Sequence, residues 1–365
     1  MLELSALALA GIHFGVPPVY YWYAKAKWLS KPWDIRIDPS YRPKVTVVIP
    51  TYNEAKLIEA KLDNVTAQVY PKDRIEVLVI DSASTDGTVE VVERWIEKNG
   101  DSVRLIMEPA RRGKAVALNE ALKHARGEVF VIADVDAFWP ENALSEALKW
   151  FSDPSVGAVS CLKKPIGMKG MGVEEEYRRY YNVLRVAESK VYATPIFHGE
   201  LAAFRRDLLE KLGGFPTDVG ADDSHTATKI ALMGFRAIIP DDLWVEEKVP
   251  EEKYFLWRIR RAQHLIQHFM KVLRAGKVNE KFKWILLAES YLHLVNPWII
   301  AAAAILLIAS AIVYHSLLSW IILALGLLLL ALKPYRTWIA TQLCLIVGAV
   351  RNFYTKEIVW TKQIK

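Results

Sequence analysis

The sequence is poor in cysteine and contains no long run of charge of one sign. Cys161 and Cys344 are its only cysteines among 365 residues, too few for a disulfide framework or a four-thiolate zinc site. The 47 Lys and Arg residues exceed the 41 Asp and Glu residues by 6, and no basic block indicates a nucleic-acid-binding arm. The composition also excludes a disordered chain and a collagen-like repeat. The modest charge excess therefore predicts no nucleic-acid partner. The length predicts about two structural units, enough to bury a sizeable core.

Apolar residues are concentrated at the two ends of the chain. The mean hydropathy is +0.13 although 24% of the residues are charged. A soluble domain with this share of charge would have a negative mean, so the apolar residues must be concentrated in particular segments. Residues 1–24 are predicted to form a first transmembrane helix, because they can cross about 30 Å of hydrocarbon. A signal peptide is the alternative, but the segment lacks a basic start and a small-residue cleavage site. Pro17 and Pro18 predict a kink or a second helical piece.

The carboxyl-terminal part of the chain is predicted to return to the membrane. Residues 284–333 contain two apolar runs, 294–313 and 316–332, which a short turn joins into a transmembrane hairpin. Residues 257–283 precede the hairpin and form a basic amphipathic region, which is expected to lie on the bilayer surface as an interfacial helix.

Basic residues form three clusters: after the first span, before the hairpin and after it. Under the positive-inside rule all three are cytoplasmic, which places the amino terminus outside a multi-pass protein of the cell membrane. The terminal region 334–365 contains a further apolar piece at 335–354. A fourth span there would export the basic tail, so an interfacial helix is preferred. The clusters comprise Lys25, Lys27, Lys31, Arg36, Arg42 and Lys44; Arg274, Lys277, Lys281 and Lys283; and Lys333, Arg336, Arg351, Lys356, Lys362 and Lys365.

Residues 44–256 predict a cytoplasmic α/β domain. Short apolar runs at 45–49, 75–80, 103–107 and 128–133 alternate with segments of helical spacing. This alternation is typical of a mostly parallel sheet with helices on both faces. Ligands of such sheets bind beyond the carboxyl ends of the strands, where the polar clusters of this sequence fall.

Three polar clusters follow the first three strands. Residues 50–54 read Pro-Thr-Tyr-Asn-Glu, and 81–88 read Asp-Ser-Ala-Ser-Thr-Asp-Gly-Thr. Asp81, at the end of its strand, is expected to face the ligand crevice, whereas a turn and a helix N-cap explain the rest of its segment. The loop 111–114 is basic and is either a phosphate contact or a solvated loop. It lacks the upstream glycine and the Ser/Thr of a P-loop.

Asp134 and Asp136 follow the fourth strand. Carboxylates at i and i+2 on extended backbone point the same way and repel each other unless a cation lies between them. Oxygen ligands of this kind, completed by water and substrate phosphates, suit Mg²⁺ or Mn²⁺. A surface turn is the alternative interpretation, but the position at the end of a buried strand favours a metal.

A second acidic pair, Asp222 and Asp223, begins a segment of helical spacing. One carboxylate serves as an ordinary N-cap, which leaves the other as a candidate general base. Upstream, residues 197–206 form a glycine-containing turn that leads into an apolar run with a basic end.

Together these motifs resemble those of the family-2 inverting glycosyltransferases, and within them the membrane-embedded, cellulose-synthase-like branch. The resemblance covers residues 45–261. It implies a GT-A fold, a nucleotide-sugar donor linked to GDP or UDP, and a divalent cation. The motifs that carry it are Pro50–Glu54, Asp81–Thr88, Gly113-Lys114 with Ala117-Leu118-Asn119, Asp134-Val135-Asp136, Ala203-Phe204-Arg205-Arg206 and Ala221-Asp222-Asp223.

The resemblance also implies roles for individual residues. Asp223 precedes Gly234-Phe235 by the interval that the family keeps, so it inherits the role of catalytic base, with Asp222 in support. Asp134 and Asp136 would hold the metal and the diphosphate. The nucleotide sugar would contact Pro50, Tyr52, Glu54, Asp81, Lys114, Asp134 and Arg260, and the acceptor would contact His198, Gly199 and Glu200.

One departure from the family pattern bears on the product. Where the polymer synthases have Gln-x-x-Arg-Trp, this chain has Trp257-Arg258-Ile259-Arg260-Arg261, so the tryptophan expected to stack on the acceptor sugar is missing. The expected reaction is therefore the transfer of one or a few hexoses to a membrane lipid or a lipid-linked glycan, as in N-glycan or surface-glycan assembly. Mannose from GDP-mannose is the first expectation, with UDP-glucose or UDP-N-acetylglucosamine next.

Three alternatives remain open from the sequence. A processive polysaccharide synthase of the cellulose or hyaluronan type would use the same site. A nucleotidyltransferase would use the same metal carboxylates but release pyrophosphate. A membrane scaffold with a nucleotide-sugar fold would bind ligand without turnover.

Overall fold

The computed structural model of the protein describes residues 1–100, 102–166, 172–250, 252–274 and 279–359. The predictions that concern Lys277, Lys362, Lys365 and the end of the basic tail lie outside these residues. A seven-stranded sheet lies at the centre of the protein. The strand order is β3-β2-β1-β4-β8-β6-β9. The strands are β1 (Val45–Thr51), β2 (Ile75–Asp81), β3 (Val103–Met107), β4 (Val129–Ile132), β6 (Val156–Ser160), β8 (Ala202–Arg205) and β9 (Arg236–Ile238).

The first four strands are parallel, as the alternation of strands and helices predicts. In the register, Val47 lies opposite Val77 on one side and Val131 on the other. Strand β8 runs antiparallel to both β4 and β6, and β9 is parallel to β6. The sheet is therefore mixed but mostly parallel, which confirms the expected GT-A-like α/β fold.

Both faces of the sheet are buried under helices. Alternate residues of β1 point to opposite faces, so Val47 and Ile49 belong to one apolar core whereas Val48 belongs to the other. The continuous apolar runs of these strands fit burial on both faces. The covering helices are α2 (Ile58–Thr66), α3 (Thr88–Asn99), α4 (Lys114–His124), α5 (Ala143–Leu148), α7 (Arg206–Leu212) and α8 (Asp222–Leu232).

A smaller three-stranded sheet lies beside the main one. Its central strand is β10 (Trp244–Lys248), which pairs in parallel with β7 (Leu162–Ile166) and antiparallel with β5 (Ala137–Phe138). Strand β5 follows directly after the Asp134–Asp136 turn. The small sheet therefore brings acidic residues of β10 towards the same edge of the fold.

Two long apolar helices confirm the apolar segments predicted at the two ends of the chain. Helix α1 (Leu2–Tyr23) runs through Pro17 and Pro18 and continues into a π-helical turn, giving an apolar helix Leu2–Leu29 of 28 residues. Helices α10 (Glu280–Ser290) and α11 (Asn296–Val313) join through another π-helical turn into the 34-residue helix Glu280–Val313. By length and composition each can cross a membrane.

The second arm of the predicted hairpin differs from the expectation. Helix α12 (Leu317–Leu329) has 13 residues, about 20 Å of helix, which is too short to cross the bilayer alone. It meets α13 (Lys333–Arg351) at a bend of 104°. By length and composition, only the two helices together could form one broken span. Pro334 lies in the first turn of α13, where its missing N–H costs nothing, and so favours a new helix there.

Two helices, α6 (Val173–Val191) and α9 (Tyr254–Val272), join the α/β domain to the apolar helices. Ala262 and Ile266 of α9 pack with Cys344 and Leu345 of α13. On α6, Arg185 is buried and pairs at 2.7 Å with Glu188 and at 2.9 Å with Glu289 of α10. Apolar packing thus joins α9 to α13, and a buried ion pair joins α6 to α10.

Helix α9 differs from an ordinary amphipathic surface helix. Several of its polar side chains, among them Arg258, Gln263 and His268, are buried inside the protein. Several of its exposed side chains are apolar, including Phe255, Leu256, Met270 and Leu273. Arg258 lines a cavity, Gln263 donates to the chain that follows α13, and His268 Nδ1 lies 3.3 Å from His225 Nδ1 of α8.

Candidate functional site

A cavity of about 350 Å³ opens at the carboxyl ends of the parallel strands. Its strand-loop wall is built by loops that follow β1, β2, β3 and β4. Its helical wall is built by α6, α9 and α13. Every predicted site residue except Asp81 lines this cavity, namely Pro50, Tyr52, Glu54, Lys114, Asp134, Asp136, His198, Gly199, Glu200, Asp222, Asp223 and Arg260.

Asp81 is buried and is not among the described residues that line the cavity, and its contact with the nucleotide sugar stays a prediction. Its side chain is 1% exposed and accepts hydrogen bonds from Thr51 Oγ1 at 3.0 Å and from the backbone N–H of Ser84 at 2.8 Å. Buried carboxylates require such donors. Asp81 therefore fixes the 82–84 loop, and Ser82 takes the place at the cavity surface.

The 50–54 and 81–88 segments hold each other in place. The backbone N–H of Asn53 donates to Ser84 Oγ at 2.8 Å, and the N–H of Thr85 donates to Asn53 Oδ1 at 2.8 Å. The N–H of Glu54 donates to Thr88 Oγ1 at 2.7 Å. The second segment thus helps to position Tyr52 and Glu54, which accounts for much of its polar composition.

Arg111 is a cavity residue that the sequence argument named only as part of a basic loop. Its guanidinium carbon lies 3.9 Å from the centre of the Tyr52 ring, within the range of a cation–π contact. Both side chains line the cavity. The loop 111–114 therefore belongs to the strand-loop wall, as the phosphate-contact alternative requires.

Lys114 joins this basic loop to the first carboxylate of the Asp-x-Asp turn. Its Nζ lies 2.6 Å from Asp134 Oδ1. Against the desolvation that burial imposes, the carboxylates of Asp134, Asp222 and Asp223 hold the pKa of Lys114 above its ordinary value. Three acidic residues thus converge on one lysine, which leaves a negative surplus at this point of the cavity.

The donor set fits a divalent cation that a diphosphate helps to bind. Asp134 and Asp136 both line the cavity and offer the oxygen ligands that Mg²⁺ and Mn²⁺ prefer. Within the described parts of the chain no group of three or more His, Cys, Asp or Glu residues forms a closed metal cage. A cation here would therefore depend on oxygens of a ligand and on water, which is usual for Mg²⁺ sites at phosphates.

The second acidic pair lies in the first turn of α8. Asp223 Oδ1 accepts from the N–H of Ser224 at 2.6 Å, and Asp222 Oδ2 has no hydrogen-bond partner among the described residues. Desolvation, followed by the neighbouring charge of Asp222, raises the pKa of Asp223 to about 7. A carboxylate with a pKa near 7 can accept a proton at neutral pH, which is what a general base must do.

Gly199 lies where the catalytic groups converge. A Cβ at this position would be 2.7 Å from Lys114 Nζ, 3.2 Å from Asp134 Oδ2 and 3.4 Å from Asp223 Oδ2. The absence of a side chain therefore lets the metal carboxylate and the candidate base approach one point. Its neighbour His198 is buried, and desolvation followed by the charges of Lys163, Arg178 and Arg261 holds its pKa well below the ordinary value.

Charged residues of β7, β10, α6 and α9 form a buried network beside the helical wall, and apart from Glu200 the sequence argument did not select them. Glu247 of β10 accepts from Arg178 at 3.0 Å and from Arg261 at 2.7 Å, and its Oε2 lies 3.1 Å from Lys163 Nζ. Lys163 also pairs with Glu200 at 2.7 Å. These residues are far apart in the sequence, so spacing could not have associated them.

Trp257 lines the cavity on the same helix. Its ring is 2% exposed, and the guanidinium carbon of Arg261 lies 4.5 Å from the ring centre. Residues 257 and 261 are one turn apart on one face of α9. An indole is therefore present in the helical wall, although at the position where the polymer synthases have glutamine.

The segment 352–359 after α13 closes another side of the cavity. Gln267 Nε2 donates to Lys356 O at 2.8 Å, and His264 Nε2 lies 3.1 Å from Glu357 O. Ile358 and Val359 line the cavity, and a Cβ at Gly113 would lie 3.1 Å from Val359 Cγ2. Sequence reasoning assigned this segment to a tail and missed its place beside the basic loop.

Comparison with known proteins agrees with this fold and site. Residues 46–213 match the family model described as Glycosyl transferase family 2. The chain is 27% identical over 260 residues to poly-beta-1,6-N-acetyl-D-glucosamine synthase of Staphylococcus aureus. That match covers 69% of this chain and 62% of the synthase, so it spans less than two thirds of this curated relative.

Two solved structures extend the comparison. The mannosyltransferase PcManGT from Pyrobaculum calidifontis, in complex with GDP-Man and Mn²⁺, is 58% identical with a TM-score of 0.92, covering 98% of this chain and 100% of that one. TarS of S. aureus, residues 1–349 in complex with UDP-GlcNAc, has a TM-score of 0.50 at 18% identity over 86% of this chain and 93% of that one, which supports the fold alone. From the family match and the near-complete overlap with PcManGT, the chain belongs to glycosyl transferase family 2 and is a glycosyltransferase.

Proposed function

We propose that the protein transfers mannose from GDP-mannose to a lipid-linked acceptor, with inversion at the anomeric carbon. The observation that carries the donor assignment is the 58% identity, over nearly the whole of both chains, to a mannosyltransferase in complex with GDP-Man and Mn²⁺. The arrangement of the cavity supports a nucleotide-sugar donor, since basic, aromatic and acidic side chains meet at the carboxyl ends of the parallel strands.

The donor lies along the strand-loop wall. Tyr52, Glu54 and the loop after Pro50 contact the nucleoside, with Arg111 stacked on Tyr52. Lys114 and Arg260 face the diphosphate and balance its charge. Asp81 supports this end of the site through the loop that it fixes.

Asp223 is the general base of the proposed reaction. It removes the proton from an acceptor hydroxyl while the oxygen forms a bond to the anomeric carbon and the bond to the nucleoside diphosphate breaks. Attack from the side opposite the leaving diphosphate inverts the anomer. Asp222 supports this role, because after desolvation its charge is the largest cause that raises the pKa of Asp223.

Asp136, with Asp134, would hold Mg²⁺ or Mn²⁺ together with the donor diphosphate. A cation bound there neutralises the charge that grows on the leaving group. Lys114, whose Nζ lies 2.6 Å from Asp134 Oδ1, holds that carboxylate in the turn.

The acceptor enters from the membrane side. His198, Gly199 and Glu200 lie at its hydroxyl end beside Asp223, whereas the helical wall is formed partly by Thr341 and Leu345 of α13. The apolar helices Leu2–Leu29 and Glu280–Val313 hold this opening at the bilayer, which suits a lipid-linked substrate. The multi-pass arrangement with a cytoplasmic catalytic domain is part of this proposal.

A product assay tests the proposal against its rivals. Purified protein is incubated with GDP-mannose, UDP-glucose or UDP-N-acetylglucosamine, each with Mn²⁺ and a panel of lipid-linked acceptors. We expect GDP release only with GDP-mannose, and an acceptor lengthened by one or a few mannoses. Ladders of long products would favour the processive synthase, pyrophosphate release the nucleotidyltransferase, and binding without turnover the scaffold.

A further inference from the structure

Trp139 lies between the Asp-x-Asp turn and the acceptor segment, residues 198–200. It follows Asp136 by three residues and is 3% exposed. Its indole Nε1 donates to the backbone oxygen of Glu200 at 2.8 Å. The two residues are 61 positions apart in the chain, so this hydrogen bond is a direct link between the metal turn and the acceptor segment.

Two polar side chains of α2 hold Trp139 in place. Asn64 binds its backbone twice: Oδ1 accepts from the N–H at 2.9 Å, and Nδ2 donates to the oxygen at 2.8 Å. Lys61 Nζ donates to the oxygen of Ala137 and lies 4.4 Å from the centre of the Trp139 ring. Asn64 follows Lys61 by three residues, so both side chains leave one face of the helix. The backbone and the ring of Trp139 are therefore fixed, which gives the indole N–H one direction.

The acceptor segment depends on side chains of other elements for its backbone hydrogen bonds. Just before it, the N–H of Phe197 donates to Ser224 Oγ at 3.0 Å. The N–H of His198 donates to Ser160 Oγ at 3.1 Å. The oxygen of Glu200 accepts from the indole. The segment is thus tied to the helix of the candidate base, to β6 and to the chain that follows the metal turn.

The position of the acceptor segment sets how the two acidic pairs meet the substrates. A Cβ at Gly199 would lie 3.2 Å from Asp134 Oδ2 and 3.4 Å from Asp223 Oδ2. The backbone at this point is therefore close to both the metal turn and the candidate base. Transfer requires the acceptor hydroxyl and the anomeric carbon to be held at close range in one orientation, and small displacements lower the rate strongly.

We infer that Trp139 is a positioning residue of the transfer reaction, whose indole N–H holds the acceptor segment in register with the metal turn. This inference rests on the proposed function and concerns the acceptor half of the site. The metal turn keeps its contacts with α2 when the indole N–H is removed, since Lys61 binds it through Ala137. Loss of the N–H therefore acts on transfer and leaves donor binding intact.

Trp150 separates the hydrogen bond from the packing of an indole. It is 1% exposed and belongs to the same apolar core as Trp139. Its Nε1 has no hydrogen-bond partner among the residues that the structure describes. The two residues are thus a matched pair, because both fill the core and Trp139 alone of the two binds the acceptor segment.

The test compares Trp139→Phe with Trp150→Phe in the full-length protein, with GDP-mannose, Mn²⁺ and the lipid-linked acceptor that is active in the panel described above. Mannose transferred to the acceptor and free mannose released by transfer to water are both measured. Trp139→Phe should lower kcat for transfer about tenfold to hundredfold and raise the ratio of free to transferred mannose by the same factor. Its affinity for GDP-mannose, measured by calorimetry, should not change. Trp150→Phe should keep the wild-type ratio.

A conservative variant distinguishes positioning from packing. Trp139→His leaves a larger cavity than Trp139→Phe, but a neutral imidazole can present an N–H at the equivalent ring position. It should therefore restore part of the transfer although it packs less well. Where Trp139→Phe is too unstable to assay, Asn64→Ala, which frees the backbone of Trp139, should raise the same ratio.

The outcomes separate the inference from the proposed function. A wild-type ratio in Trp139→Phe, or an equal change in Trp150→Phe, would overturn the inference and leave the proposed function intact. Absence of transfer by the wild-type protein from every donor would overturn the proposed function. Hydrogen–deuterium exchange then decides the inference without turnover: Trp139→Phe should speed exchange at 197–198 and leave α2 unchanged, and equal exchange in the wild type and the variant would overturn it.

Discussion

Lys114 Nζ lies 2.6 Å from Asp134 Oδ1, which ties the basic loop after β3 to the acidic turn after β4. Asp134 and Asp136 both line the cavity, so the lysine lies against the turn that is proposed to hold the metal and the diphosphate. A substitution at Asp136 leaves the Lys114–Asp134 ion pair in place.

Asp223→Asn should abolish most of the turnover. The amide cannot accept the acceptor proton, so we expect kcat to fall by about 10²- to 10⁴-fold, the usual size of general-base catalysis. GDP-mannose binding measured by calorimetry should change little. Asp218→Asn, at an exposed residue paired with Lys271, is the matched control. Near-normal turnover of Asp223→Asn would assign the base elsewhere.

The pH dependence of kcat/KM should report Asp223. Its pKa of about 7 is raised by desolvation and by Asp222, so the active carboxylate is lost as the pH falls through 7. We expect kcat/KM to be level above this pH and to fall about tenfold per pH unit below it. Asp222→Asn removes the neighbouring negative charge and should shift the acidic fall of kcat/KM to lower pH. If the fall stays at the same pH, the charge of Asp222 does not raise the pKa of Asp223.

Chelation of divalent cations should stop transfer, and Asp136→Asn should raise the Mn²⁺ concentration that half-maximal activity requires. The expectation follows from a site with few protein ligands, where loss of one carboxylate oxygen weakens cation binding strongly. Titration of Mn²⁺ at saturating GDP-mannose measures the effect. Asp207→Asn, an exposed carboxylate paired with Lys211, serves as the control. Unchanged Mn²⁺ dependence in Asp136→Asn would contradict the assignment.

Arg185→Met should destabilise the junction between α6 and α10. The variant leaves Glu188 and Glu289 buried without their cation, which costs about 3–5 kcal/mol when one partner of a buried pair is removed. Thermal unfolding in detergent should show a clear decrease in Tm, compared with Arg179→Met on the exposed side of the same helix. A Tm equal to that of the control would show that packing alone joins the helices.

The proposed orientation can be tested by cysteine labelling in intact cells. Both native cysteines are buried, so single cysteines can be added at exposed positions without a reactive background. Tyr314→Cys, in the turn between α11 and α12, should react with a membrane-impermeant maleimide from outside. Val69→Cys, in the α/β domain, should react only after permeabilisation. Both positions were chosen because their side chains are well exposed in the structure. The reverse labelling pattern would contradict the proposed orientation.

Much of the α/β domain could be predicted because its signals are local. The run Val103–Met107 forms β3 as its apolar residues indicate, and α4 begins at Lys114. The Asp-x-Asp turn and the 222–223 pair lie at element ends, where a side chain next to a strand or helix terminus is placed by backbone geometry alone. Sequence periodicity therefore located most residues of the strand-loop wall.

Long-range contacts could not be predicted in the same way. Asp81 ends its strand as predicted, but its burial and its hydrogen bonds from Thr51 and Ser84 are seen only in the structure. The arm 316–332 is apolar enough for a span, yet the helix ends at Leu329 and the chain bends at Pro334. Neighbours distant in the chain decided the first case, and a local break in the helix decided the second.

The sequence by itself determined the parallel α/β core, the apolar helices at the two ends and the acidic pairs of the site, because periodicity and charge placement act over a few residues. Only the tertiary structure decided the helical wall. Arg258 of α9 meets Thr341 of α13, and Arg178 of α6 meets Glu247 of β10, across long separations in the chain. Burial then fixes their charges, since a cation removed from water must find its counter-charge in whatever residues or ligands the fold brings to it.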